Sequence, residues 1–203
     1  MSGKGTQADL LEQKLGFTRI ETGKILRKIA NSNHPWSTRI ADMQKRGVLV
    51  SNDIVAEVIK EALQQNAPFG FLLDGTPRDF DQYKVIEEEF KRKNIKIDKV
   101  IFINISEQEI IRRISGRRIC SRCGNIYNLV TGPVPVDNKC SCGGELKIRN
   151  DDTPEATKNR LDYYNNDVMP LIEMFRKEGN LLEINGEQPI EKIHQEIVEK
   201  LGL

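Results

Sequence analysis

Three short apolar runs set the architecture of this chain: Phe69-Gly70-Phe71-Leu72-Leu73, Val100 to Ile105, and Leu181-Leu182-Glu183-Ile184. Each is too short for a buried helix, and the second is rich in β-branched residues, so all three read as strands covered on both faces. The stretches between them carry the helical period instead. Ala8, Leu11 and Leu15 share one face and Gly16 stops it, which predicts a helix over Lys4 to Leu15. Ile54, Val55, Val58, Ile59, Ala62 and Leu63 predict another, and Phe80, Tyr83, Ile86 and Phe90 place one over Asp79 to Lys91. Thr153-Pro154-Glu155 combines an N-cap, a first-turn proline and an acid at the positive helix end, opening a helix through Leu161 and Tyr164. A final helix covers Ile190 to Leu201. Strands alternating with helices give an α/β fold: a parallel sheet with helices on both faces and ligands at the carboxyl ends of the strands.

The start of the chain, Met1-Ser2-Gly3-Lys4-Gly5-Thr6-Gln7, reads as the second half of a phosphate-binding loop. In such a loop backbone N–H groups and a helix N-terminus converge on phosphate oxygens; Gly3 and Gly5 permit close approach and Lys4 supplies charge. The strand that should precede the loop is not among these residues. The expected P-loop-type sheet is therefore two half-sheets with unpaired edges and an open groove between them. A protein with an upstream strand and a truncated relative both fit that expectation. Lys4, Asp74 and Gly75 should gather at one sheet edge.

Composition bounds the rest. The 203 residues suffice for one domain with insertions, and the formal net charge of +1 speaks against a nucleic-acid coat or a membrane-surface protein. No apolar run approaches the roughly 20 residues needed to cross a bilayer, and no secretory signal opens the chain, so a cytoplasmic protein is expected. All four cysteines fall between Cys120 and Cys142, which points to one local site and not to a disulfide framework. Cys120-x-x-Cys123 and Cys140-x-Cys142 suit a structural Zn²⁺ held by four thiolates; four unliganded thiols are the alternative. Between Arg117 and Arg149 the texture turns to glycine, proline and polar residues, marking an inserted subdomain. His34 and His194 stand alone in polar contexts and are expected to be exposed, while Trp36 should pack.

Phe71-Leu72-Leu73-Asp74-Gly75-Thr76-Pro77-Arg78, followed by Gln82, resembles the strand-to-loop motif of adenylate kinases, with Thr76 where phenylalanine is usual. The resemblance continues in the family's order over nearly the whole chain. It runs through Thr22-Gly23 with Arg27, Gly47-Val48-Leu49-Val50, Arg113 to Arg118, Arg149 with Asp151-Asp152, and Arg160-Leu161. Lys24 and Asp79 depart from the usual aspartate and threonine.

The resemblance implies a P-loop core over 1–20, 51–115 and 153–203, an AMP-binding flap over 21–50 and a lid over 116–152. It implies Mg²⁺-dependent, reversible phosphoryl transfer, ATP and AMP giving two ADP. ATP would lie on Gly3, Lys4, Gly5 and Thr6, with Arg113, Arg117, Ile126, Tyr127 and Gln188. AMP would meet Thr22, Gly23, Arg27, the Val48, Leu49 and Val50 backbone, Gly75, Thr76, Pro77, Arg78 and Gln82. Arg149 and Arg160 would bridge both nucleotides, oriented by Asp151 and Asp152. Catalysis would rest on Lys4, Arg78, Arg117, Arg149 and Arg160 with those two aspartates, while Asp74 organises the waters of Mg²⁺. The Cys140 pair is one residue shorter than the Cys-x-x-Cys of metal-bearing members. The family expectation is also a monomer without nucleic-acid or membrane partners. A pyrimidine monophosphate kinase and a non-catalytic nucleotide- or zinc-binding relative are the alternatives.

Overall fold

The computed structural model describes residues 2–132, 135–149 and 152–203, with the backbone alone described at Val136. Helix α1 (Lys4–Leu15) leads to strand β1 (Thr18–Glu21), helices α2 (Thr22–Ala30), α3 (Ser37–Arg46) and α4 (Asn52–Ala62), and strand β2 (Phe71–Asp74). Helix α5 (Phe80–Arg92), strand β3 (Val100–Asn104) and helix α6 (Glu107–Ser115) follow. Three short strands come next: β4 (Arg117–Cys120), β5 (Ile126–Asn128) and β6 (Leu146–Lys147). Helix α7 (Pro154–Tyr163) runs through a π-helical turn at Tyr164–Val168 into α8 (Met169–Lys177), and β7 (Leu181–Asn185) and α9 (Ile190–Leu201) close the chain.

Local chemistry accounts for the element ends. Gly3 and Gly16 flank α1 with φ of 92° and 73°, values that suit a residue without Cβ. The Asp79 side chain accepts from the Gln82 amide and caps α5, while Thr153 accepts from the Ala156 amide with Pro154 in the first turn of α7. Phe69, expected within the strand, lies outside it and is 68% exposed, because Gly70 turns the chain (φ 97°) before β2 begins at Phe71. Strand β1 is an element beyond those expected from the sequence: Thr18-Arg19-Ile20-Glu21 alternates, and only Ile20 is buried.

The parallel strands form two pairs. β1 runs parallel to β2 in the register Thr18↔Phe71 to Glu21↔Asp74, and β3 parallel to β7 from Val100↔Leu181 to Asn104↔Asn185. Helices pack on both pairs, building one apolar cluster around Ile20, Ile40, Ile54 and Ile59 and a second around Leu11, Ile103, Ile184 and Ile197. Each such aliphatic side chain contributes roughly 1.5–3 kcal/mol by leaving water. The two pairs do not join; Leu72 and Leu73 of β2 and Phe102 and Ile103 of β3 line a cleft of about 930 Å³. His194 is buried, contrary to expectation, because it lies with Ile193 and Ile197 on the inward face of α9. Its burial, with the charge of Lys14, lowers its pKa. Trp36 packs against the first cluster as expected.

β4, β5 and β6 make a separate antiparallel sheet in the order β5-β4-β6. Gly116 joins it to α6 at a tight point: a Cβ there would stand 2.5 Å from Val130 Cγ2.

Candidate functional site

The carboxyl ends of β1 and β2 meet the N-terminus of α1, and charge concentrates there. Lys4 Nζ donates to Asp74 Oδ1 at 2.6 Å and Arg19 Nη2 donates to Oδ2 at 2.6 Å. Asp74 is 5% exposed. Burial alone would push its carboxyl up, but Lys4 and Arg19 outweigh burial and hold it below the ordinary carboxylate value. Arg19 also pairs with Asp9, and with Glu21 at 3.3 Å, while Glu21 accepts from Arg27 Nη2 at 3.1 Å. Gly75 adopts φ 85°, and a Cβ on it would lie 3.4 Å from Arg78 Nη2 and 3.6 Å from Lys4 Nζ. Both cations thus crowd the turn after β2, as the sequence predicts for Lys4, Asp74 and Gly75.

Arg78 is fixed from three directions. Its Nε donates to the Gly75 carbonyl at 2.8 Å, its Nη1 to Tyr163 Oη at 3.0 Å, and its amide to Gln82 Oε1 at 3.0 Å. At the start of α2, directly after β1, Thr22 Oγ1 is buried and finds no hydrogen-bond partner among the described residues. Such an orphaned group costs on the order of 1–3 kcal/mol unless a ligand satisfies it.

A second group of cations centres on Asp152, whose side chain is 1% exposed. Arg117 donates to it through Nε at 2.7 Å and also through Nη2; Arg160 donates through Nη1 at 2.9 Å. Burial lowers the Arg117 pKa, opposed by Asp152 and assisted by the charges of Arg149 and Arg160, so these three arginines share one neighbourhood. Asp151 lies outside the described residues. Arg113 donates to Glu109 at 2.6 Å and to the Gly186 carbonyl at 2.9 Å, two residues before Gln188, and a Cβ on Gly3 would lie 4.0 Å from its Nη1. Lys4, Asp74, Gly75, Arg78, Arg160 and Tyr163 all border the cleft between the two strand pairs.

Other expected positions are looser. Val48 and Ile126 are exposed, Val50 is buried, and Gln188 spends its side chain on the Asn185 carbonyl and on Glu196. Arg19 and Tyr163 belong to the site but lie outside the sequence-based set. The alternation Thr18-Arg19-Ile20-Glu21 could have signalled β1 and hence Arg19; nothing local marks Tyr163.

The four cysteines come together as their spacing predicts. Their sulfurs lie within 4.8 Å of one another, with Cys120 to Cys142 and Cys123 to Cys140 each 3.5 Å apart. Four sulfurs about 2.3 Å from a zinc ion would stand about 3.8 Å apart, so the cluster fits tetrahedral thiolate coordination. The Tyr127 hydroxyl donates to Cys140 and draws its thiol down to about 6.

Positive charge gathered at a helix N-terminus and at the carboxyl ends of parallel strands is how α/β proteins hold phosphorylated ligands, and fold and site put this chain in that class. The chain belongs to the adenylate kinase family: the family's sequence model, described as adenylate kinase, matches residues 1–180. It is 39% identical to the adenylate kinase of Archaeoglobus fulgidus over 198 residues, covering 97% of this chain and 91% of that protein. It is 37% identical to that of Thermosipho africanus, covering 97% and 93%. With the adenylate kinase of Caldicellulosiruptor saccharolyticus it shares 37% identity, covering 100% and 95%.

Proposed function

We propose that this chain transfers the terminal phosphoryl group of ATP to AMP, reversibly, giving two ADP. The observation that carries the reading is the convergence of Lys4 and Arg78 on Gly75, in a cleft that Arg160 also borders. Phosphoryl transfer asks little covalent chemistry of a protein and much positioned positive charge. An AMP phosphate oxygen attacks the terminal phosphorus of ATP, and the bond from that phosphorus to its bridging oxygen breaks. The departing ADP keeps the bonding pair, and no enzyme-bound intermediate forms.

In this reading ATP lies on Gly3 to Thr6 with Arg113 and Arg117. AMP meets Thr22, Arg27, the 48–50 backbone, Gly75 to Arg78 and Gln82. Thr22 Oγ1 gains the partner it lacks. Arg149 and Arg160 reach both nucleotides, and Asp152 keeps Arg117 and Arg160 aligned by charge-assisted hydrogen bonds. Mg²⁺ bound with ATP neutralises phosphate charge. Asp74 fits its water shell, since a carboxylate has acceptor capacity beyond the bonds from Lys4 and Arg19. The 116–152 segment acts as the lid over ATP, with a structural Zn²⁺ on Cys120, Cys123, Cys140 and Cys142, and 21–50 as the AMP flap. A cytoplasmic monomer acting on small molecules accords with the near-neutral charge, and no described helix is long and apolar enough to cross a membrane.

The test is acceptor choice: ATP and Mg²⁺ are incubated with AMP, CMP or UMP and the diphosphates are separated by chromatography. ADP formed with AMP in clear excess over CDP or UDP supports the proposal. Preference for a pyrimidine acceptor would transfer the assignment to a pyrimidine monophosphate kinase, and saturable nucleotide binding without product would point to a non-catalytic relative.

A further inference from the structure

The two cysteine pairs differ in what stabilises their sulfurs. In Cys120-x-x-Cys123 the backbone folds back so that the amides of Arg122 and Cys123 both point at Cys120 Sγ, at 3.4 and 3.5 Å. Hydrogen bonds of this kind spread the negative charge that a metal-bound thiolate retains. Cys140-x-Cys142 is one residue shorter: one backbone amide, that of Cys142, reaches Cys140 Sγ, and the other contacts come from side chains. Tyr127 Oη lies at 3.1 Å and Ser141 Oγ at 3.9 Å.

Tyr127 is held for this task. It stands on β5 opposite Arg118 of β4, and its ring packs on the cluster of Cys120, Cys140, Cys142 and Leu146. The Ser141 amide donates to Tyr127 Oη at 3.5 Å, so one lone pair of the phenol is engaged while its proton is directed to the sulfur. We infer that Tyr127 is a positioning residue of the four-thiolate site. Its hydroxyl donates to the Cys140 thiolate in place of the second amide that Cys120 receives, and so sets how tightly the shortened pair holds a thiophilic divalent cation. The inference rests on the metal-site reading above and gives it a determinant outside the four ligands. The same strand pair that presents Tyr127 also carries Arg117, opposite Asn128, so the metal cluster and the Asp152 arginines are anchored on one short sheet.

Full-length parent and Tyr127→Phe, which keeps the packed ring and removes only the hydroxyl, would be loaded with Zn²⁺ and titrated against a chromophoric chelator. Removing an outer-sphere partner of this kind weakens metal binding about 10- to 100-fold, and that loss is expected here. Co²⁺ loading supplies the second readout: the sulfur-to-cobalt charge-transfer band should move to lower energy in Tyr127→Phe while the tetrahedral ligand-field bands remain. Ser141→Ala should change affinity less than Tyr127→Phe. Equal zinc affinity in parent and Tyr127→Phe would overturn the inference, as would weaker affinity with an unmoved charge-transfer band, which is the mark of packing alone. A parent that takes up neither ion would instead remove the four-thiolate reading itself.

Discussion

Replacing Asp152 by asparagine removes one negative charge from a site where the buried Arg117 and the half-buried Arg160 both pair with it. The Asp152 side chain is 1% exposed, Arg117 9% and Arg160 12%, so little solvent is at hand to take over. Breaking a buried ion pair by removing one partner costs about 3–5 kcal/mol. Asparagine keeps the shape and one acceptor oxygen, which argues for the lower end, about 3 kcal/mol. For a chain of this size about 1 kcal/mol moves the melting temperature by roughly 2–4 °C, so Asp152→Asn should melt about 6–12 °C below the parent. The assay is thermal unfolding followed by circular dichroism, without ligand and with MgATP. If these arginines hold nucleotide phosphates, bound ATP returns the missing negative charge, and MgATP should raise the melting temperature of Asp152→Asn by more than that of the parent. Arg117→Gln combined with Asp152→Asn should lose less than the sum of the single changes, since each single change already breaks the pair between them. A melting temperature within about 1 °C of the parent, or strict additivity, would refute the reasoning.

Gly47 ends α3 with φ 70°, and a Cβ there would lie 2.6 Å from the Ala156 backbone in α7. Strain and overpacking together predict that Gly47→Ala loses about 2–5 kcal/mol in urea unfolding; a loss under 1 kcal/mol would refute that packing. Asp74 titrates below the ordinary carboxylate value when folded, so its stabilising contribution is complete above that value and is lost as pH falls through the folded one. Arg19→Gln should raise the folded value and move the acid limb of unfolding to higher pH, and an unmoved limb would contradict the role given to Arg19. Cys142→Ser should abolish stoichiometric zinc uptake and lower the melting temperature of the zinc-loaded protein toward that of the metal-free parent, as elemental analysis and parallel melts would show.

Much of the frame was legible before the structure. Helices α1 and α9 end where the sequence predicts, because an apolar stripe and a flanking glycine mark each locally. The cysteine cluster was legible for the same reason, as its spacing is short-range. What was hidden depends on contacts distant in sequence. β1 holds one buried residue in four and becomes a strand through its ladder with β2, about fifty residues away. Arg117 and Asp152 are separated by 35 residues, so their pairing needs the fold, although the family's order of motifs pointed to both. His194 looked solvent-facing among charged neighbours, and only the packing of α9 shows it turned inward. Tyr127 was readable as an expected nucleotide contact, whereas its hydroxyl on Cys140 follows from the pairing of β5 with β4.

The most direct test is ADP formation from ATP, AMP and Mg²⁺ by this chain beside Arg78→Ala prepared identically, with AMP varied. Arg78 is held by the Gly75 carbonyl and Tyr163 at the turn assigned to AMP phosphate. The account predicts turnover in the parent and, for Arg78→Ala, a fall in kcat/KM for AMP of about 100-fold or more, as expected when a positioned cation at a developing charge is lost. A folded parent that binds ATP and AMP yet forms no ADP, or equal turnover in the two proteins, would contradict it.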